Sequence, residues 1–477
     1  MQKTKLYRLL SELSNPELNR LVKFAQSPYH NPNPVVGRCL QRLIEVIRQD
    51  VSLSREELSL FLGDGHPLED QRFRKICSDC LQLTIHFLAV EKFSLDQPLE
   101  QATRLDVIVQ RRYEFLFRSS RQKLASTLDR LPGRGAAYYL HQYRLQEYIY
   151  EMSQYQLQRF EVANIEEIIG NLDAFYTIEK LRYYCEILSR KTFTKHEYSN
   201  ILIQELLDLV RKGRFSKHPV IEIYYLIVLT HLEPNAEQHY YDLKEKLHNH
   251  AHYLPADQMK QLYDSALNYC NRKINSGKSK FMAESFELYK TVLANELIYV
   301  DGFITHWTFK NVIVLALRLG EFDWAESFVE KYSYRIEENF RENAVTYNQA
   351  QICFYRKDFH QVISKLQTVE YQDITYNLGA KSMLLATYYE LSEWDALESL
   401  SASFKVYLTR RKNTIPEARR KSYINMIKVI SKLVDYRNRN RLSVKSISNY
   451  LGQLKVVASE PWLREKLKEL QSQPAGF

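Results

Sequence analysis

Apolar residues recur three and four places apart along most of the chain, in runs of helical length divided by short breaks of Pro, Gly, Asn and charged residues. That spacing predicts helices throughout. Amphipathic runs cover Glu69 to Glu91, Ile221 to Leu232, Glu237 to Leu247, Gln258 to Cys270 and Phe281 to Leu297. Two more follow at Pro416 to Tyr436 and Pro461 to Leu470. Helix starts are marked as well. Asn15 before Pro16 offers a cap followed by proline at the first helical position, and Ser54 with Glu57 has the spacing of a capping box. Three prolines between Pro28 and Pro34 stop the helix that opens at Asn15.

Within this pattern a shorter one repeats. A helical run, a break, an acidic residue, an aromatic and an apolar residue three places on occur at Gly320 to Ala325, at Lys357 to Val362 and at Ser392 to Leu397. The aromatics are Phe322, Phe359 and Trp394. Their spacings of 37 and 35 residues match the period of a two-helix unit. Gly320 suits the left-handed residue that closes a helix. Asp358 with Gln361, and less completely Ser392 with Asp395, suit the opening of the next. Each aromatic is expected to wedge between the helices of its own unit and its neighbour, because a single hairpin cannot bury its apolar face alone.

This arrangement resembles the tetratricopeptide repeat, whose units carry Gly, an aromatic and a small residue around the turn. Gly320, Phe322, Ala325 and Ala350 fit it, while Val362 and Leu397 replace the small residue. The resemblance implies a stack of helical hairpins, an α-solenoid, with a concave binding face. In its register Trp307, Lys310, Arg318, Tyr347, Gln351, Tyr355 and Tyr389 point into that face. Some tetratricopeptide domains hold a partner's C-terminal carboxylate with Lys and Asn on their first helices. Lys310 and Asn348 occupy two such places, and Val314 and Gly379 depart from the other two. The whole chain is also similar to a family of bacterial proteins of like length, through Ser27 to Asn33, Asn268 to Cys270, Leu317 to Glu326 and Ser382 to Leu385. That likeness implies no activity.

Composition narrows the class. With 13 Gly and 13 Pro in 477 residues there is little material for a strand-rich domain, so an all-α chain is expected. It divides into an N-terminal helical bundle over 1–100, tyrosine-rich connecting helices over 101–218, the solenoid over 219–440 and a capping helix within 441–477. Six scattered cysteines make no disulfide framework, no run reaches the length of a membrane span, and Gln2 to Arg8 lacks the apolar segment of a signal peptide. A cytoplasmic protein without membrane contact is expected. The net charge of +9 is concentrated. Between Lys405 and Lys445 thirteen Lys and Arg face only Glu417 and Asp435, an excess of eleven, so the other 436 residues carry a net −2.

Candidate chemistry is sparse. Cys77 and Cys80 have half the spacing of a zinc site but lack a second pair, and His248 with His252 lacks further ligands, so neither a metal nor a cofactor is expected. Two helices carrying Arg72, Arg74 and Lys75 are joined by a turn too long for a DNA-reading motif. Tyr139, Tyr143 and Tyr150 share a helix face, suited to packing first and to base stacking second. No phosphate-binding Gly loop, nucleophile elbow or zinc-protease motif occurs. The expectation is a non-enzymatic scaffold that binds a peptide or protein in the concave face. The alternative is nucleic-acid or polyanion binding through 405–445, where Arg410, Arg411, Lys412, Arg419, Arg420 and Lys421 would form one outward corner.

Overall fold

A computed structural model of the chain describes all residues except 132, 156–163, 192–195, 200, 251–253, 368–372, 440–442 and 473–477. The described residues form helices and no β-strand, with one isolated bridge between Val300 and Phe303. No described helix is long and apolar enough to cross a membrane. Two compact units result, one of Met1–Tyr225 with His252–Leu254 and one of Leu226–Ala251 with Pro255–Phe477.

The first unit contains α1 (Lys5–Glu12), α2 (Asn15–Gln26), α3 (Pro34–Arg48), α4 (Arg55–Leu62), α5 (Asp70–Leu95), α6 (Gln97–Gln110), α7 (Glu114–Asp129), α8 (Ala136–Tyr155), α9 (Ile165–Arg190) and α10 (Ile203–Arg211). It thus takes in both the 1–100 and the 101–218 segments. Ser14, one place before the expected Asn15, caps α2 through a reciprocal box with Glu17, whose carboxylate accepts from the Ser14 amide at 2.8 Å. Ser54 and Glu57 form the box expected of them. Leu10, Leu21, Leu40, Leu43, Leu58 and Cys80 are fully buried where α1 to α5 meet. Cys80 is a core residue, as its position on the apolar face of α5 dictates. Tyr139 on α8 is buried too, its hydroxyl 2.8 Å from His218 Nδ1.

After α11 (Pro219–Leu232), the second unit holds α12 (Gln238–His250), α13 (Ala256–Asn275), α14 (Phe281–Ala294), α15 (His306–Leu319), α16 (Phe322–Tyr332) and α17 (Glu338–Tyr355). It continues through α18 (Phe359–Gln367), α19 (Ile374–Glu390), α20 (Trp394–Arg410), α21 (Glu417–Arg439), α22 (Val444–Gln453) and α23 (Glu460–Ser472). From α15 to α19 each odd-numbered helix packs on its successor and on the next odd one, so α15, α17, α19 and α21 lie side by side.

The repeated sequence pattern is a repeated backbone. Gly320, Lys357 and Ser392 all adopt left-handed φ, at 82°, 63° and 60°. Each is followed by an amide that reaches back five residues: Glu321 to the Ala316 carbonyl at 3.0 Å, Asp358 to Cys353 at 2.9 Å and Glu393 to Tyr388 at 2.9 Å. These are Schellman closures, which satisfy the last free carbonyls of a helix. The aromatic then opens the next helix half-buried, and Ala325, Val362 or Leu397 is buried one turn on. Lys357 and Ser392 adopt this φ without being Gly, at a cost of about 1 kcal/mol each.

The closures also revise the expected capping. Because the Asp358 amide closes the preceding helix, it is not taken up by Gln361, and half the box remains: the Gln361 amide donates to Asp358 Oδ1 at 3.4 Å. Ser392 is the left-handed residue rather than a cap, and Glu393 precedes α20 without a side-chain bond.

Candidate functional site

Across the row of odd-numbered helices the second unit forms a half-open cavity of about 480 Å³. Five of the seven residues expected in the concave face line it: Lys310 and Arg318 on α15, and Tyr347, Gln351 and Tyr355 on α17. Their spacing of four or eight residues puts them on one face of each helix. Val314 and Phe354 complete that wall, and Gly379, Ser382, Met383 and Ala386 of α19 form the floor. The far side comes from Arg419, Ser422 and Tyr423 on α21 and from Ala458, Ser459, Pro461 and Trp462 around the start of α23. Two bonds hold that last segment against α21. The Ala458 amide donates to the Ser422 carbonyl at 3.0 Å, and Asn425 Nδ2 to the Val456 carbonyl at 2.8 Å.

Two expected residues lie elsewhere. Trp307 is partly exposed beside His306 and Tyr376, outside the lining. Tyr389 is fully buried, with Trp394 and Trp462 against it edge-on and the Arg437 guanidinium 4.9 Å over its ring. It is a core residue because the aromatics of α20 and α23 close over the end of α19.

The basic residues divide as well. Arg410, Arg411 and Lys412 are exposed at the end of α20, and Lys421 pairs with Glu417 at 2.7 Å. Arg419 instead lines the cavity beside half-buried Arg420. The six therefore do not share one outward face.

Lys310 is a strongly perturbed group of the site. Its ammonium lies 5.1 Å over the Tyr347 ring and 5.5 Å over that of Tyr376. Tyr376 is held there by its hydroxyl, which donates to the His306 carbonyl at 2.9 Å. Tyr347 is seated by Gly379, since a Cβ at 379 would meet the Tyr347 hydroxyl well inside contact distance and its Cζ at 3.0 Å. Among the described residues no carboxylate pairs with Lys310. Burial, and then repulsion from Arg419, lower its pKa to about 8, with Asp373 acting in the opposite sense. The aromatic faces offset part of the lost hydration by cation–π attraction.

A lysine kept above two rings, with no carboxylate paired to it among the described residues, costs stability. Its folded pKa of about 8 lies below the unfolded value of roughly 10.4, so below pH 8 both states carry the proton and the folded one bears the full penalty. Between pH 8 and 10 the penalty fades as the folded state releases that proton. Lys310→Met is therefore expected to raise the stability of this unit at pH 7, by on the order of 1–2 kcal/mol after solvent screening. The gain should shrink toward pH 10, and urea unfolding at both pH values reads it directly.

Gln351 adds a second unusual feature. Its Nε2 donates to the Tyr347 hydroxyl at 3.2 Å, whereas Oε1 is buried with no hydrogen-bond partner among the described residues. The cavity thus holds, among the described residues, an acceptor without a hydrogen-bond partner and a cation without a paired carboxylate.

The thiols offer little chemistry. Cys39 beside Cys77 and Cys80, and Cys185 and Cys270, are buried or half-buried; burial pushes Cys185 and Cys270 up, Cys270 to about 12. No group of three metal-ligating side chains occurs among the described residues. His252 of the histidine pair lies outside them. No family model, curated protein or solved structure matches this chain.

Proposed function

We propose that the second unit is a tetratricopeptide-like helical scaffold, without catalytic activity, that binds a peptide segment of a partner protein in the cavity between α15, α17, α19 and α21. The observation that carries this reading is the convergence of Lys310, Arg318, Tyr347, Gln351 and Tyr355 on one cavity. Its size lies in the range of about 300–1,000 Å³ usual for ligand sites, and Arg and Tyr are frequent anchors of interfaces. The orphan Gln351 Oε1 suits a peptide N–H. The described lining includes no carboxylate, histidine or cysteine, so Ser382, Ser422 and Ser459 have no base of those types beside them there. The three recurrent helix closures and the side-by-side odd helices support the solenoid form of the scaffold.

The test removes two exposed lining side chains and leaves the core untouched. Arg318→Ala with Tyr355→Ala is expected to lose at least about tenfold in partner capture from native extract, since interface anchors cost 2 kcal/mol or more. The thermal transition should move little, as surface changes usually stay within about 0.5 kcal/mol. Undiminished capture by the folded double variant would refute the cavity as the docking site.

A further inference from the structure

Lys310, Arg318 and Arg419 bring three cations to one cavity, and its described lining holds no carboxylate to balance them. A single peptide carboxylate would leave most of that charge uncompensated. A dianion would not. We infer that the group received between Lys310, Arg318 and Arg419 is a phosphoryl group carried on a side chain of the peptide partner, a refinement that rests on the docking reading above.

The geometry supports each part of this. Arg419 and Lys310 stand on α21 and α15, opposite walls of the row, close enough for their charges to repel. An anion between them removes that repulsion and makes charge-assisted bonds to both, roughly twice as strong as neutral ones. The guanidinium fork of Arg419 and the point charge of Lys310 supply the two kinds of donor that phosphate oxygens accept from. Asp373, the carboxylate acting on Lys310, is already engaged at the start of α19, accepting from the Thr375 and Tyr376 amides at 2.7 and 3.0 Å. The carrier follows from the rest of the wall. Phe354, Tyr355 and Trp462 offer apolar and aromatic surface to a side chain, and Gln351 Oε1 is the acceptor that a backbone N–H would fill. A free phosphate ion supplies neither contact.

Lys310 gives the binding a pH signature. The charged groups acting on it are Arg419 and Asp373, and its ring neighbours are Tyr347 and Tyr376. A dianion favours the protonated lysine, so affinity should fall as pH rises past about 8, where free Lys310 loses its charge. On the acid side affinity should fall as the phosphoryl group takes up its second proton near pH 6.

The experiment is calorimetric titration of the full chain with N-acetyl-phosphotyrosine amide, against N-acetyl-tyrosine amide, N-acetyl-glutamate amide, phenyl phosphate and adenosine monophosphate. The phosphorylated amide should bind tightest, and about tenfold or more above the tyrosine and glutamate amides. Lys310→Met and Arg419→Gln should each remove about tenfold, and affinity should drop between pH 7 and pH 9. Equal binding of the glutamate amide, or full affinity in both variants with intact thermal transitions, would overturn the phosphoryl assignment. Tighter binding of phenyl phosphate or of the nucleotide would overturn the peptide carrier. Partner capture that needs Arg318 and Tyr355 but survives phosphatase treatment of the extract overturns this inference alone and leaves the docking site standing.

Discussion

Lys466→Met is expected to destabilise the second unit by about 3–5 kcal/mol, the usual cost of removing one member of a buried ion pair. The Lys466 side chain is 5% exposed and that of Glu390 14%. Lys466 Nζ lies 2.8 Å from Glu390 Oε1 and 2.7 Å from Glu469 Oε2, and Trp462 Nε1 donates to Glu390 at 2.7 Å. Removing the ammonium leaves Glu390 charged among Trp462, Tyr389 and the end of α19. Burial alone would lower the Lys466 pKa, but its bonds to Glu390 and Glu469 outweigh that and raise it. The stabilisation is therefore fully present through neutral pH and is lost only above the ordinary lysine value of roughly 10.4, as pH rises through the folded pKa. Glu390→Leu combined with Lys466→Met should lose less than the single change, because an apolar pair of similar volume avoids the stranded charge. Urea unfolding of the three proteins at pH 7 checks the order.

Phe404→Ala should cost about 3–5 kcal/mol as well, by the lost burial of the ring and the void it leaves. Phe404 on α20 is fully buried with Leu397, Leu408, Ile427 and Ile430. Its ring lies 5.6 Å from that of Tyr423, which lines the cavity. The variant should therefore loosen one wall of the site and weaken ligand affinity even at temperatures where the unit remains folded. Denaturation together with a binding isotherm below the transition separates the two effects.

How much of this was legible in the sequence follows from the range of each interaction. The helical class and the three half-buried aromatics rest on local periodicity, and Phe322, Phe359 and Trp394 do take equivalent places at the start of α16, α18 and α20. Of the three left-handed closures, Gly320 alone carries a compositional mark; Lys357 and Ser392 reach the same φ because the next hairpin is held in place by packing. Helix α22 lies between the runs read at Pro416 to Tyr436 and Pro461 to Leu470, since Val444, Ile447 and Leu451 make only a short apolar stripe, and Ile447 and Leu451 are buried against the terminal core. The α15 and α17 half of the cavity follows from helical register. Arg419, Tyr423 and Trp462 do not, because they arrive through tertiary contacts such as Trp462 to Glu390, 72 residues apart in sequence. Arg419 reads as one more member of a basic run until α21 turns it inward. Tyr389 errs the other way: it continues the α19 register, but contacts from α20 and α23 seal it in.

The docking site is tested most directly by placing a photoreactive phenylalanine analogue at position 355 in the cavity wall and, as a control, at position 403 on the exposed side of α20. Irradiation in native extract should join a partner to the chain from position 355 and not from 403, and prior Arg318→Ala should suppress the adduct. Adducts from 403 alone, or none from 355 while the protein still captures its partner, would contradict binding in the cavity.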